Sequence, residues 1–238
     1  MAVQTRRARL EDPGAELLDQ VTTAWDRYGR AVLIALGVVA VVVLGVVMMV
    51  RARSTAEDQA SGKLMEADLL FWQGDYAHAV QSARQTYQQF GQTPSGVDAH
   101  RIAGDGQFWQ ANFTDAVTEY RTYLDKVKTG PQSDAVRRSL AYALESEKDP
   151  RTNQPVAAAQ QEAMGLYLGL VGKFDRESSG EFLEGAARCA RTLGRTPDAI
   201  QDLQRLDREF GETQAAMHGR MELAELQAAS GALPQQSR

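Results

Sequence analysis

Three histidines, one cysteine and a scatter of carboxylates are the residues of this chain that could do chemistry, and their spacing decides whether they do. His78, His100 and His218 each lack a second histidine or cysteine three or four positions away. That is the spacing at which two helical residues share a face and could share a zinc ion. They are therefore expected to be surface histidines, or histidines satisfied by a single partner. Cys189, the only cysteine, sits in the alanine-rich run AARCART, a setting that predicts a small buried hydrophobe rather than a reactive thiol. With no second cysteine there is no intrachain disulfide, and thiol usage says nothing of compartment. Gly104-Asp105-Gly106 lies inside a helical pattern and is too short to cradle phosphate, and no nucleophile elbow or paired-carboxylate motif occurs. Pairs such as Asp202/Arg205 and Glu119/Lys126 have the spacing of solvated helix faces. The residues make no case for catalysis, a metal or a cofactor.

Two aromatic pairs offer a different chemistry, that of recognition. Phe71-Trp72 and Phe108-Trp109 stand at an offset of 37 residues, each near the end of a helical pattern. Adjacent helical residues point about 100° apart, so one member of each pair can enter the core while the other faces outward. Stacked at equal positions, the outward members would form an aromatic strip with Asp68, Arg101 and Asp105 beside it. Aromatic residues and arginine dominate binding hot spots. The other reading is that all four rings are core between repeats.

What positions these pairs is an internal repeat. FWQGDYAHAV (71–80) is echoed by FWQANFTDAV (108–117), with five of ten positions identical. A third copy, Gly194-Arg195-Thr196-Pro197-Asp198-Ala199-Ile200, leads to Phe210-Gly211-Glu212-Thr213, which matches Phe90-Gly91-Gln92-Thr93 at an offset of 120. Self-similarity at such a period marks a stacked-repeat architecture. Leu64, Ala67, Leu70 and Phe71 recur at helical spacing, Gly74-Asp75 supplies a turn, and Ala79, Val80, Ala83 and Tyr87 form the stripe of a second helix. Ala79, Ala116 and Ala199 occupy the place where two helices approach closely. This pattern resembles the tetratricopeptide repeat around 74–83, 111–120 and 194–203, without the early tryptophan and the closing proline. The resemblance implies an all-α solenoid of helical hairpins. Residues 134–146 read as a first helix, 148–154 as an expanded turn, and about 156–170 as a second helix of a divergent repeat. A last helix, 214–229, caps the array.

Ahead of the array, Ala31–Val50 holds twenty residues without a charged or hydrogen-bonding side chain, nine of them valine. As a helix it is about 30 Å long, the hydrocarbon thickness of a bilayer. Arg30 precedes it and Arg51 and Arg53 follow, and Trp25 and Tyr28 fall at the level where aromatic residues favour the membrane interface. Leu17, Leu18, Val21, Trp25 and Tyr28 share one face of a short amphipathic helix. The expected domains are a tail (1–30), a transmembrane helix (31–50), a polar linker (51–61), the repeat domain (62–230) and a flexible end (231–238). The tail holds Arg6, Arg7, Arg9, Arg27 and Arg30, but only Arg27 and Arg30 lie close to the span, against Arg51, Arg53 and Lys63 beyond it, so basic residues give almost no vote on orientation. The tail is placed in the cytoplasm because a large following domain translocates largely regardless of charge. From Ser54 onward 19 basic residues face 26 acidic ones. That balance argues against nucleic acid, whose phosphates need concentrated positive charge.

Tail, span and the helical onset DQASGKLMEADLL (58–70) together resemble the YfgM-type ancillary subunit family of the Sec translocon. These are single-span proteins of the bacterial inner membrane with a periplasmic tetratricopeptide-like domain. The resemblance implies partners among translocon and periplasmic chaperone proteins, and a role in handing secreted chains onward. The competing expectation is a structural accessory subunit that clamps a larger membrane assembly, such as a respiratory, photosynthetic or cell-wall complex.

Overall fold

The computed structural model describes residues 13–229 and Gly231. The tail arginines Arg6, Arg7 and Arg9 and the end 232–238 lie outside the described residues, as does the side chain of Leu17. The described residues form nine α-helices: α1 Pro13–Trp72, α2 Tyr76–Phe90, α3 Pro94–Trp109, α4 Phe113–Lys126, α5 Pro131–Ser146, α6 Ala157–Leu170, α7 Arg176–Thr192, α8 Thr196–Phe210 and α9 Gln214–Ala229. Two compact units divide between Thr55 and Ala56, and α1 contributes to both. The polar stretch 51–61, expected as a linker, is helical throughout. Its sequence RARSTAEDQAS contains neither glycine nor proline, so nothing in it stops a helix. Ala60 is already buried, and Glu57 accepts hydrogen bonds from the backbone N–H and hydroxyl of Ser95.

In the first unit, α1 is long and apolar enough to cross a membrane, and all of Ala31–Val50 is exposed. Just before the span, the Trp25 ring lies against Gly29, where a Cβ would come within 3.2 Å of it. The Arg27 guanidinium stands 5.7 Å from the centre of the Tyr28 ring.

In the second unit the end of α1 pairs with α2, and three further hairpins follow: α3/α4, α5/α6 and α7/α8, with α9 closing the array. Three of the four turns are copies of one another. Gly74 (φ +81°), Ala111 (φ +60°) and Gly194 (φ +72°) all take the left-handed conformation. In each, the next residue's N–H returns to the carbonyl five positions back: Asp75 to Leu70, Asn112 to Gln107, Arg195 to Ala190. This arrangement satisfies the open carbonyls of the first helix, and glycine suits it because it carries no Cβ. The third turn is different. Lys148 bridges Pro155 as an isolated strand pair, and Asp149 accepts from the N–H groups of Arg151 and Thr152. Between hairpins the repeat recurs at 120 residues. Thr93 and Thr213 each donate a hydroxyl to the preceding phenylalanine carbonyl, Phe90 or Phe210, and accept an N–H of the next helix.

The core has two parts. Around α1–α3 it is built from Ala67, Ala83, Ala99, Ile102 and Ala103. From α4 to α9 it carries larger side chains, among them Tyr120, Leu144, Tyr167, Phe182 and Leu206. At Gly104 a Cβ would fall 2.6 Å from the Tyr120 ring, so α3 closes on α4 only with glycine there. Ala116, expected where two helices approach, is fully buried, and His78 is exposed.

Candidate partner-binding site

The repeat places Phe71 and Phe108 half-buried beneath the turns and leaves Trp72 and Trp109 in solvent, 77% and 61% exposed. The reading in which all four rings are core does not survive this arrangement. The tryptophans are nevertheless not loose. Phe71 touches Trp72 edge-on at 5.6 Å and Tyr76 at 5.4 Å between ring centres. Tyr76, the first residue of α2, stacks on Trp109 of the next hairpin at 5.9 Å and 14°. Phe108 then bridges Trp109 and Phe113. Six rings thus run as a ladder along the turn edge of the first two hairpins, with Trp72 at its end against Phe71 and Trp109 between Tyr76 and Phe108.

The polar residues expected beside the strip play another part. Arg101 grips Asp98 with two nitrogens, at 3.0 and 2.9 Å, and reaches Asp105 at 3.3 Å. The Tyr120 hydroxyl donates to the other oxygen of Asp105 at 2.7 Å. Burial pushes the Asp105 carboxyl above its usual range, against the pull of Tyr120 and Arg101. Asp68 adds its charge to those holding Arg101 protonated. Arg101 is therefore spent on carboxylates of its own helix and Asp105 on tying α3 to α4, and it is the rings that face outward.

Next to Trp109 a cleft of about 120 Å³ is lined by Asp105, Phe108, Trp109, Tyr120, Ser139 and Tyr142. Tyr142 and Ser139, on α5, were not anticipated. The signal was present: Asp68, Asp105 and Tyr142 are spaced 37 apart, so the same register continues into the divergent hairpin. The ladder stops there because the positions equivalent to Phe71 and Trp72 are Glu145 and Ser146.

The histidines and the cysteine each have a local setting. His100, buried, donates to Glu119 at 2.8 Å and stacks on the Tyr87 ring at 4.0 Å. Tyr87 donates its hydroxyl to the other Glu119 oxygen. Burial raises Glu119, but the bonds from His100 and Tyr87 and the charge of Arg84 outweigh it and hold the carboxyl below its usual range. His78 binds Asp75 at the turn, and His218 lies 3.9 Å from Glu184. Burial pushes the Cys189 thiol up to about 12, which keeps it protonated and unreactive. Among the described residues no three His, Cys, Asp or Glu side chains are grouped to hold a metal. Trp25, Tyr28, Arg30, Arg51 and Arg53, expected at the membrane interface, are all exposed on α1.

The second unit is a tetratricopeptide-like solenoid of helical hairpins, preceded by one N-terminal helix apolar enough to span a membrane. No family model and no curated protein matches the sequence. Among solved structures, the chain is similar to a Podosopora anserina protein described as a kinesin light chain with nearly identical TPR-like repeats. The identity is 16% and the TM-score 0.55, over 74% of this chain and 88% of that one. At that identity the likeness concerns the fold.

Proposed function

We propose that the protein is a membrane-anchored scaffold that binds protein partners in the cell envelope through the aromatic edge of its first two hairpins. The observation that carries this reading is the pair Trp72 and Trp109, exposed while the ladder behind them is packed. Tryptophan is the side chain most enriched at hot spots, and rings already held in place lose little entropy on binding. The anchor reading rests on Ala31–Val50, whose wholly apolar, wholly exposed surface suits hydrocarbon rather than water. Within it, Trp25 and Tyr28 with Arg30 mark one interface, and Arg51 and Arg53 the other. The tail lies in the cytoplasm and the array in the periplasm of a bacterial inner membrane. The finer role is an accessory factor of protein translocation or of handover to periplasmic chaperones, which the order of tail, span and array supports.

The deciding experiment is a pull-down of the full-length chain from mild detergent, with Trp72→Ala/Trp109→Ala in parallel. Transient capture of translocon or chaperone components, lost in the double variant, supports the scaffold. Stoichiometric recovery with one complex, indifferent to the two tryptophans, assigns the protein instead as a structural clamp. Protease added to spheroplasts should digest the chain after Ser54 and spare a fragment of tail and span; a protected array reverses the topology.

A further inference from the structure

Among the described residues α9 packs only on α7 and α8 and has no neighbour on its other side, and a soluble array keeps an end face polar. α9 does not. Ala215, Ala216 and Gly219 are buried on its inner face, with Leu223 and Leu226 packed against the core. On the opposite side Met217, Met221, Ala224 and Ala228 are all exposed, the two methionines by 56% and 65%. Spacings of four, three and four make them one apolar stripe along the helix.

The stripe is self-complementary when read against itself in reverse. About a two-fold axis passing between positions 221 and 224, Met217 meets Ala228 of a second copy and Met221 meets Ala224. Each long side chain faces a short one, so the backbones can approach without collision. The flanks agree. His218 and Glu225, both exposed, border the stripe on one side and oppose each other across the axis; Arg220, held by Asp207, borders it on the other. In a parallel pair every residue would meet its own copy, methionine on methionine and Glu225 on Glu225. We infer that α9 is a homodimerisation helix, through which two copies of this chain pair antiparallel along Met217, Met221, Ala224 and Ala228. At the other end of the array Met65, Leu69 and Trp72 are exposed as well, but that stripe has no small residue opposite each large one in reverse. One helix pair falls short of the roughly 1,000 Å² of a stable soluble interface. The pairing is therefore weak between free molecules and is strengthened when copies are confined to one membrane, an effect of local concentration.

Full-length protein in lipid vesicles tests this by disulfide formation, with the buried thiol of Cys189 silent. Chains carrying Met221→Cys mixed with chains carrying Ala224→Cys should yield a covalent dimer under mild oxidation. Met217→Cys alone should not, since its two copies stand about 16 Å apart along the helices in this register. Adding Met217→Glu to the productive pair should reduce cross-linking at least tenfold. Self-linking by Met217→Cys at a rate equal to the mixed pair would show parallel packing and overturn the inference. Absence of any cross-link would overturn it too, leaving the face to a different protein.

Discussion

Between α1 and α3 the buried apolar residues are Ala60, Ala67, Ala79, Val80, Ala83, Ala99, Ile102 and Ala103, six of the eight alanine, whereas around α6 and α7 they include Tyr167, Phe182 and Leu183. The aromatic mass is distributed in the opposite sense at the surface. Every exposed ring of the array precedes residue 110, and the later aromatics, from Phe113 to Phe210, are buried or half-buried. Where alanines let the backbones close, the rings have no room inside and move to the turn edge. Where glycines and alanines of one helix face rings of the next, as Gly185 faces Tyr167, the rings become the core. One repeat pattern thus yields a recognition edge at one end and a stabilising core at the other.

The largest test of that contrast is Phe182→Ala, which removes a fully buried ring that touches Tyr167 and Phe174. It should cost about 3–5 kcal/mol, read from urea unfolding followed by helical circular dichroism. A loss no greater than that of an exposed tryptophan would erase the distinction between the halves. Ala116→Leu comes next. Its site, fully buried between helices, should be overpacked at about 1–3 kcal/mol. Gly104→Ala, aimed at the Tyr120 ring, should behave alike. His78→Ala, on the exposed side of α2, should leave the unfolding midpoint nearly where it was.

These positions also show how far the sequence could be read. Ala116 and His78 were placed correctly because hydrophobic period and the 37-residue echo are local facts of the chain. The last helix was bounded at Gln214 and Ala229, where the FGET turn and the loss of pattern mark its ends. The partnership of His100 with Glu119, nineteen residues away, was not legible, because the two meet only when α3 closes on α4. The commitment of Arg101 to Asp98 and Asp105 is written in local spacing, three and four positions along α3, whereas the hydrogen bond from Tyr120 to Asp105 is not. Sequence spacing told which side of a helix each residue occupies, and tertiary contact decided whether a charged group there is spent internally.

The alanine-rich half relies on such polar ties, and pH probes them. Glu119 is held below the usual carboxylate range in the folded chain, so its contribution is present above the unfolded value, near pH 4.3. It is lost as pH falls through the lower folded value. Glu119→Gln should lower stability at neutral pH by roughly 1–2 kcal/mol. It should also flatten the decline of the urea midpoint on acidification below about pH 4.5. An unchanged slope in the variant would mean that the alanine-packed helices hold without this network.

The smallest effect on stability belongs to the rings that matter most for the proposed function. Trp72 has only its neighbour Phe71 as an aromatic contact and lies mostly in water, so Trp72→Ala should shift stability by no more than about 0.5 kcal/mol. Trp109→Ala gives up the stack on Tyr76 as well, worth about 0.5–1.5 kcal/mol for a ring pair and nearer the lower bound at this exposure. Exchange of either for phenylalanine should retain most of that stability, because a ring remains to meet Phe71 or Tyr76, while losing the indole N–H and part of the contact area a partner would use. Capture of partners by the full-length protein should therefore fall in the order wild type, phenylalanine variants, alanine variants, with unfolding curves that nearly superimpose. If capture is unchanged across that series, the exposed edge is a by-product of alanine packing at the N-terminal end, and recognition must be sought on another face of the array.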